Sequence, residues 1–261
     1  MSNNHKIALI TGASSGIGKA LAENFAQDGY DVILAARSVS KMESQAADLQ
    51  ERYNITATVI AADLESNEGA ANLYREIKNS GFMLSALANN AGYGTFGEFK
   101  DSTLQSELAM MQINMSTIVV LTKLFMPDLL ATNGKIINTA STAAFQPGPY
   151  MAVYYATKAF VLSFSEAIAA ELEGTGVTVT ALCPGLTASG FQDKADMHAS
   201  ALVKNKNLPT AEEVAALGYR AMQRGQRVYI PGVINWLMVQ SLRFTPRNLV
   251  TKIVKAMSKP I

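Results

Sequence analysis

A chain of 261 residues with 49% hydrophobic content is long and apolar enough to bury a large core as one domain. No apolar stretch is expected to span a bilayer, and the first strand begins so soon after Met1 that a signal peptide has no room. The lone Cys183 forbids an intrachain disulfide and fits a reducing, cytoplasmic compartment, while His5 and His198 lack metal-ligand spacing, so no metal site is expected.

Residues 7–10, Ile-Ala-Leu-Ile, suit a buried parallel strand. Thr11-Gly12-Ala13-Ser14-Ser15-Gly16-Ile17-Gly18 follows, then a helix with Leu21, Ala22, Phe25 and Ala26 at helical spacing and Gly29 as its stop. Strand, glycine turn and helix in that order make a phosphate site. Glycines let the backbone approach a pyrophosphate, and the helix N-terminus offers free N–H groups and the positive end of its dipole.

Further strands are predicted at 31–35, 56–62, 84–88, 135–139, 177–182 and 227–230. Helices fill the gaps at roughly 39–53, 67–80, 103–132, 152–173 and 210–224. Thr210 with Glu212 and Glu213 reads as a capping box, and Gly174 and Gly176 bracket the end of the 152–173 helix. The alternation argues an α/β fold, a doubly wound Rossmann-type parallel sheet of about seven strands with flanking helices. Right-handed crossovers bring every strand's C-terminal end to one edge. The glycine turn, residues 89–92, Ser141 and Pro184-Gly185 therefore gather there.

Tyr154 and Lys158 are four residues apart, on one face of a helix. A free tyrosine titrates near 10, too high for good acid–base work near neutrality, and an ammonium one turn away is expected to lower it. Tyr150 and Tyr155 lie nearby, but only Tyr154 has a lysine one turn on.

These motifs together resemble the short-chain dehydrogenases/reductases, whose glycine signature is Thr-Gly-x-x-x-Gly-x-Gly. Asn89-Asn90-Ala91-Gly92 matches that family's Asn-Asn-Ala-Gly element, Pro184-Gly185 its Pro-Gly, and Asn114, Ser141, Tyr154 and Lys158 its catalytic tetrad. The resemblance covers about residues 6–230 and is strongest to a bacterial reductase group similar to hydroxysteroid dehydrogenases. It implies hydride transfer between a nicotinamide and a carbonyl or secondary alcohol. Tyr154 would exchange the proton, Ser141 would bond the substrate oxygen, Lys158 would hold the nicotinamide ribose, and Asn114 would bind a water leading to Lys158. It also implies cofactor contacts from Gly12, Ser14, Ser15, Gly16, Ile17 and Gly18, from Asp63-Leu64 and Asn90 near the adenosine, and from Ala91, Gly92, Pro184, Gly185 and Thr187. Ser189 stands where the family has threonine.

Cofactor choice is readable after the second strand. Ala36 stands where a carboxylate would select NAD, and Arg37 and Ser38 follow; a guanidinium matches a 2′-phosphate, so NADP(H) is expected, with Lys41 adding charge.

The substrate is less legible. Residues 190–209 read as a lid with Phe191, Met197, Leu202 and Val203, and Tyr93, Phe96 and Phe99 follow Gly92, which suggests an apolar pocket for a hydrophobic ketone or aldehyde. No charged residue is evident to bind a carboxylate or coenzyme A.

Charge is uneven. Eight bases and no acids follow Glu213, which leaves 14 bases against 21 acids in the rest. Residues 1–231 read as the catalytic domain and 232–261 as a C-terminal extension, with Trp236, Leu237 and Met238 in an apolar stretch. Pro246 opens a helix with Leu249, Val250, Ile253, Val254 and Met257 on one face and Arg247, Lys252, Lys255 and Lys259 on the other. The favoured reading packs this helix on the body or a dimer mate; the competing one lays it on an anionic membrane surface. Two further functional readings stand beside the enzyme: a non-catalytic NADP-binding regulator, and a protein docked through its basic tail. A homodimer or homotetramer through 103–132 and 152–173 is expected, and nucleic acid is not expected as a partner.

Overall fold

The computed structural model describes residues 6–190 and 208–259. Phe191, Met197, Leu202 and Val203 of the expected lid lie outside the described residues.

Seven strands form one parallel sheet: β1 (Ile7–Thr11), β2 (Asp31–Ala36), β3 (Ala57–Ala61), β4 (Ala86–Asn89), β5 (Lys135–Thr139), β6 (Thr178–Leu182) and β7 (Val228–Tyr229). Their order is β3-β2-β1-β4-β5-β6-β7. Chain order reverses between β1 and β4, where Leu9 pairs Ile33 on one side and Leu87 on the other. Open α/β sheets bind ligands at such a switch point.

Successive strand residues point to opposite faces, and both faces are covered, so the strands read as unbroken apolar runs. Ala8, Ile10, Val32 and Leu34 meet α1 (Gly16–Gln27), α2 (Val39–Tyr53) and α7 (Ala211–Gln223) through Leu21, Phe25, Leu49, Val214 and Met222. Leu9, Ile33 and Leu87 meet α3 (Gly69–Asn79), α5 (Thr117–Thr132) and α6 (Ala152–Glu171) through Leu73, Ile77, Leu121, Phe125 and Ala169. The Phe25 ring is wedged edge-on between Tyr30 and Tyr219, 5.2 and 4.9 Å between centroids. Each such fully buried large side chain contributes about 1.5–3 kcal/mol relative to exposure.

The predicted 103–132 helix is α4 (Leu104–Met111), a π-helical segment Gln112–Ser116 and α5. Leu104–Thr132 is 29 residues with hydropathy 1.4, enough by length and composition to cross a membrane, where the sequence reading expected no such stretch. Its apolar content has a local cause: Ile113, Leu121, Phe125 and Leu129 enter the core, while Leu104, Leu108 and Met111 face outward.

The capping box forms as expected, Thr210 Oγ1 accepting from Glu213 N and Glu213 Oε2 from Thr210 N, at 3.2 and 2.9 Å. Beyond β7 the chain forms two helices, α8 (Val233–Leu242) and α9 (Arg247–Met257). Only the second was anticipated. Val239, Val250 and Val254 of these helices are buried, and Val250 and Val254 line a cleft at the C-terminal edge of the sheet.

Candidate active site

One cleft of about 1840 Å³ opens along the C-terminal edge of the sheet. Of the residues predicted from the sequence, Gly12, Ser14, Ser15, Gly16, Ile17, Arg37, Ser38, Leu64, Asn90, Ala91, Gly92, Ser141, Tyr154, Lys158, Pro184, Gly185 and Thr187 all line it. Gly18, Asp63 and Asn114 do not.

The glycine turn is built for close approach. Gly12 has φ +67°, and a Cβ on it would lie 2.9 Å from Ala91 Cα. Gly18 sits beneath the turn, where a Cβ would press into the Gly12 carbonyl oxygen. Ser15 caps α1 with no side-chain capping bond, so its hydroxyl and the first-turn N–H groups face the cleft. This cradle, with Arg37 at one end, fits a dinucleotide phosphate.

Asn90 braces the edge from below. Its Nδ2 donates to the Thr11 carbonyl at 3.1 Å, and its Oδ1 accepts from Thr139 Oγ1 at 3.2 Å. Thr11 Oγ1 in turn accepts from the N–H groups of Asn90 and Ala91, both at 3.0 Å. Asp63 turns its carboxylate to the Glu65 N–H at 3.2 Å. Glu65, which sequence reasoning missed, pairs with Arg37 at 2.7 Å, and both line the cleft. No local signal joins residues so far apart in the chain.

Ser141 caps the short 3-10 turn Thr142–Phe145, accepting from Ala143 N at 3.1 Å and donating to the Pro184 carbonyl at 3.3 Å. Tyr154 and Lys158 are both buried on α6. Lys158 Nζ donates to the Thr139 carbonyl at 2.7 Å and lies 5.7 Å from the Tyr154 ring centroid. The expected lowering of Tyr154 is not met. Burial pushes its hydroxyl well above the usual tyrosine range, and a hydrogen bond with Ser141 opposes this only in part. Burial also pulls Lys158 down to about 8. Desolvation is the leading cause of both shifts, since burial penalises each charged form.

Asn114 lies in the π-helical segment, a distortion frequent at functional sites. Its Nδ2 donates to the Tyr93 carbonyl and to Thr157 Oγ1, at 2.9 and 3.0 Å, and its Oδ1 accepts from Tyr93 N at 3.1 Å. Both side-chain donors are therefore spent inside the protein, so the water-holding role expected of this residue does not fit its amide donors. Cys183 is buried, its thiol pushed up to about 12 by desolvation, in keeping with a packing role.

Past Tyr154 the cleft turns apolar. Tyr93 lines it as expected, but Phe96 packs on the Tyr150 ring and Phe99 points to solvent. The walls come instead from Met151, Tyr155 and Leu186, and from Met238, Leu242 and Ile253 of α8 and α9. Arg220 of α7 also lines the cleft, a cation that the sequence reading did not assign.

A phosphate cradle at the first strand–helix junction, beside a half-buried serine and a buried tyrosine and lysine at the switch point, defines a nicotinamide-dependent oxidoreductase of Rossmann type. The family model for short chain dehydrogenases matches residues 6–199, and the chain belongs to that family. It is similar to the very-long-chain 3-oxoacyl-CoA reductase-B of Danio rerio, 28% identical over 266 residues, 97% of this chain and 80% of that one. Among solved structures, a short-chain dehydrogenase from Sphingobium yanoikuyae in complex with NADPH superposes with a TM-score of 0.82 at 28% identity, covering 92% of this chain and 94% of that one. The bulky-bulky ketone specific alcohol dehydrogenase from Comamonas testosteroni does so with 0.78 at 29% identity, covering 93% of each.

Proposed function

We propose that this protein is an NADPH-dependent reductase of hydrophobic ketones or aldehydes. The observation that carries the reading is the continuity of one cleft, from Arg37 past Ser141 and Tyr154 into a chamber walled by Met151, Met238 and Leu242. The NADPH complex of the Sphingobium relative and the bulky-ketone specificity of the Comamonas enzyme support it.

The nicotinamide, when bound, supplies the hydride. Ser14, Ser15 and the first-turn N–H groups of α1 would hold the phosphates, and Arg37 with Ser38 would hold a 2′-phosphate. Leu64 and Ala91 would flank the adenosine, and Gly92, Pro184, Gly185, Thr187 and Lys158 the nicotinamide half. Tyr154 donates its proton to the substrate oxygen, and Ser141 hydrogen-bonds that oxygen as negative charge develops. A tyrosine raised by burial stays protonated at neutral pH, the form that reduction requires. Asn114 acts as a positioning residue, tying the Tyr93 backbone to Thr157 on α6. NADPH oxidation against a panel of hydrophobic ketones and aldehydes tests the whole reading. Turnover of several members is expected; tight NADPH binding with none turned over would favour the regulator instead.

The pH profile follows from Lys158. Its cation stabilises the phenolate that forms as Tyr154 gives up its proton, and with Lys158 at about 8 that cation is present below this pH and lost above it. Ketone reduction at saturating cofactor is therefore expected to be flat below about pH 8 and to fall above it. Lys158→Arg, whose guanidinium does not titrate, should lose that limb at a reduced rate. A wild-type rate that climbs through pH 8 would contradict this role for Lys158.

Assembly as a homodimer or homotetramer through α4–α6 is part of the same reading. Leu104, Leu108, Met111, Val119 and Phe160 are exposed there, and Phe160 stacks on Phe164 at 5.9 Å. Leu108→Asp is expected to lower the mass measured by light scattering toward that of one chain; an unchanged oligomer would place the interface elsewhere.

A further inference from the structure

The outward face of the C-terminal helices has no role in the chemistry above. Trp236, Leu237 and Phe244 are 50%, 55% and 88% exposed, and none of them lines the cleft. Leu249 on α9 is half exposed as well. Arg243, which caps the end of α8 beside Phe244, and Arg247, Lys252 and Lys255 of α9 are exposed too. Among the described residues none of these four cations forms an ion pair, and no acid follows Glu213 in the sequence; Glu98, held low chiefly by Lys100, also feels Lys255 more weakly. The opposite side of α8 carries Met238 and Leu242, which wall the substrate chamber. One helix thus has an apolar face to the cleft, an apolar face to the outside and cations beside it.

We propose that the α8–α9 surface docks the protein on an anionic lipid membrane, Trp236, Leu237 and Phe244 entering the headgroup–acyl boundary and the flanking cations meeting lipid phosphates. Docked this way, the helix that walls the chamber lies at the bilayer surface, so an apolar ligand reaches the cleft with little exposure to water. Charge disfavours a second copy as the natural occupant, since four cations outnumber the one neighbouring acid, Glu98. An isologous contact sets this patch against itself, which brings Arg243, Arg247, Lys252 and Lys255 toward the same four cations of the other copy with no acid in the tail to neutralise them. A nucleic acid does not match the apolar centre of the patch.

Trp236 is the only tryptophan in the chain, so its emission reports this face alone. The test titrates the full-length protein with vesicles of phosphatidylcholine, with and without phosphatidylglycerol, and follows Trp236 emission, iodide quenching and co-sedimentation. Anionic vesicles should shift the emission to the blue, shield it from iodide and sediment the protein. Binding should weaken at least about tenfold on neutral vesicles or in high salt. Leu237→Asp with Phe244→Asp, and separately Arg243→Glu with Arg247→Glu, should each lower binding by at least about tenfold while ketone turnover in solution is unchanged. Wild-type emission and sedimentation that ignore anionic vesicles overturn the proposal whatever the variants do. A blue shift that grows with protein concentration in the absence of lipid, and is abolished by Leu237→Asp, overturns it in favour of a second copy.

Discussion

Tyr154→Phe is expected to lower ketone turnover about a thousandfold while leaving NADPH affinity within about twofold of wild type. The loss corresponds to about 4 kcal/mol of transition-state stabilisation. The substitution removes one oxygen and keeps the ring, which packs against Met110, Ala143 and Met151 in a small buried cluster. Fold stability should change by no more than about 1.5 kcal/mol, the usual worth of one hydrogen bond, here the one with Ser141. Tyr155 is the natural rival. It lines the same cleft, its ring 6.0 Å from that of Tyr154, yet it has no lysine one turn on. Single-turnover measurements separate the two: if Tyr154→Phe reduces ketone at the wild-type rate and Tyr155→Phe does not, the proton assignment moves to Tyr155.

Arg37→Ala is expected to cut the preference for NADPH over NADH by about 10- to 100-fold, read as the ratio of kcat/KM for the two cofactors. A hydrogen bond between charged partners is worth about 1.5–3 kcal/mol, and only NADPH carries the phosphate that receives it. The ratio should move through NADPH alone and should shrink in high salt. Glu65 sharpens the test. It holds the Arg37 guanidinium at 2.7 Å, so a 2′-phosphate must compete with a carboxylate for the same donors. Glu65→Gln removes that competitor and should tighten NADPH binding several-fold, the opposite sign. If the ratio is untouched by Arg37→Ala, the arginine caps a strand end in solvent and cofactor choice lies elsewhere.

Much of the fold was legible because it is local. Ile7–Thr11 declares itself as an apolar run, and Thr210 with Glu213 as a capping box, since both depend on neighbours a few residues away. Other features carry no local mark. Val233–Leu242 is apolar nearly all round and opens after Gly232 without a side-chain cap, so its helix shows neither a face nor a start signal. The π-helical segment Gln112–Ser116 has no composition that distinguishes it from the flanking turns. In the cleft, the glycine turn, Arg37, Ser141, Tyr154 and Lys158 could each be singled out by type and spacing, but Glu65, Arg220 and the walls drawn from α8 and α9 could not.

The sequence by itself determined the order of strands and helices as far as β7, the glycine turn, and which tyrosine has a lysine on its own helix face. These are properties of residue type and periodicity over one or two turns. The tertiary structure alone decided that Tyr154 is pushed up rather than down, that Glu65 competes for Arg37, that Asn114 spends both donors inside the protein, and that the tail walls the chamber with one face while exposing the other. The reason is physical: desolvation, ion pairing and burial depend on what stands around a group in space, and the neighbours that count here are tens to more than a hundred residues away along the chain.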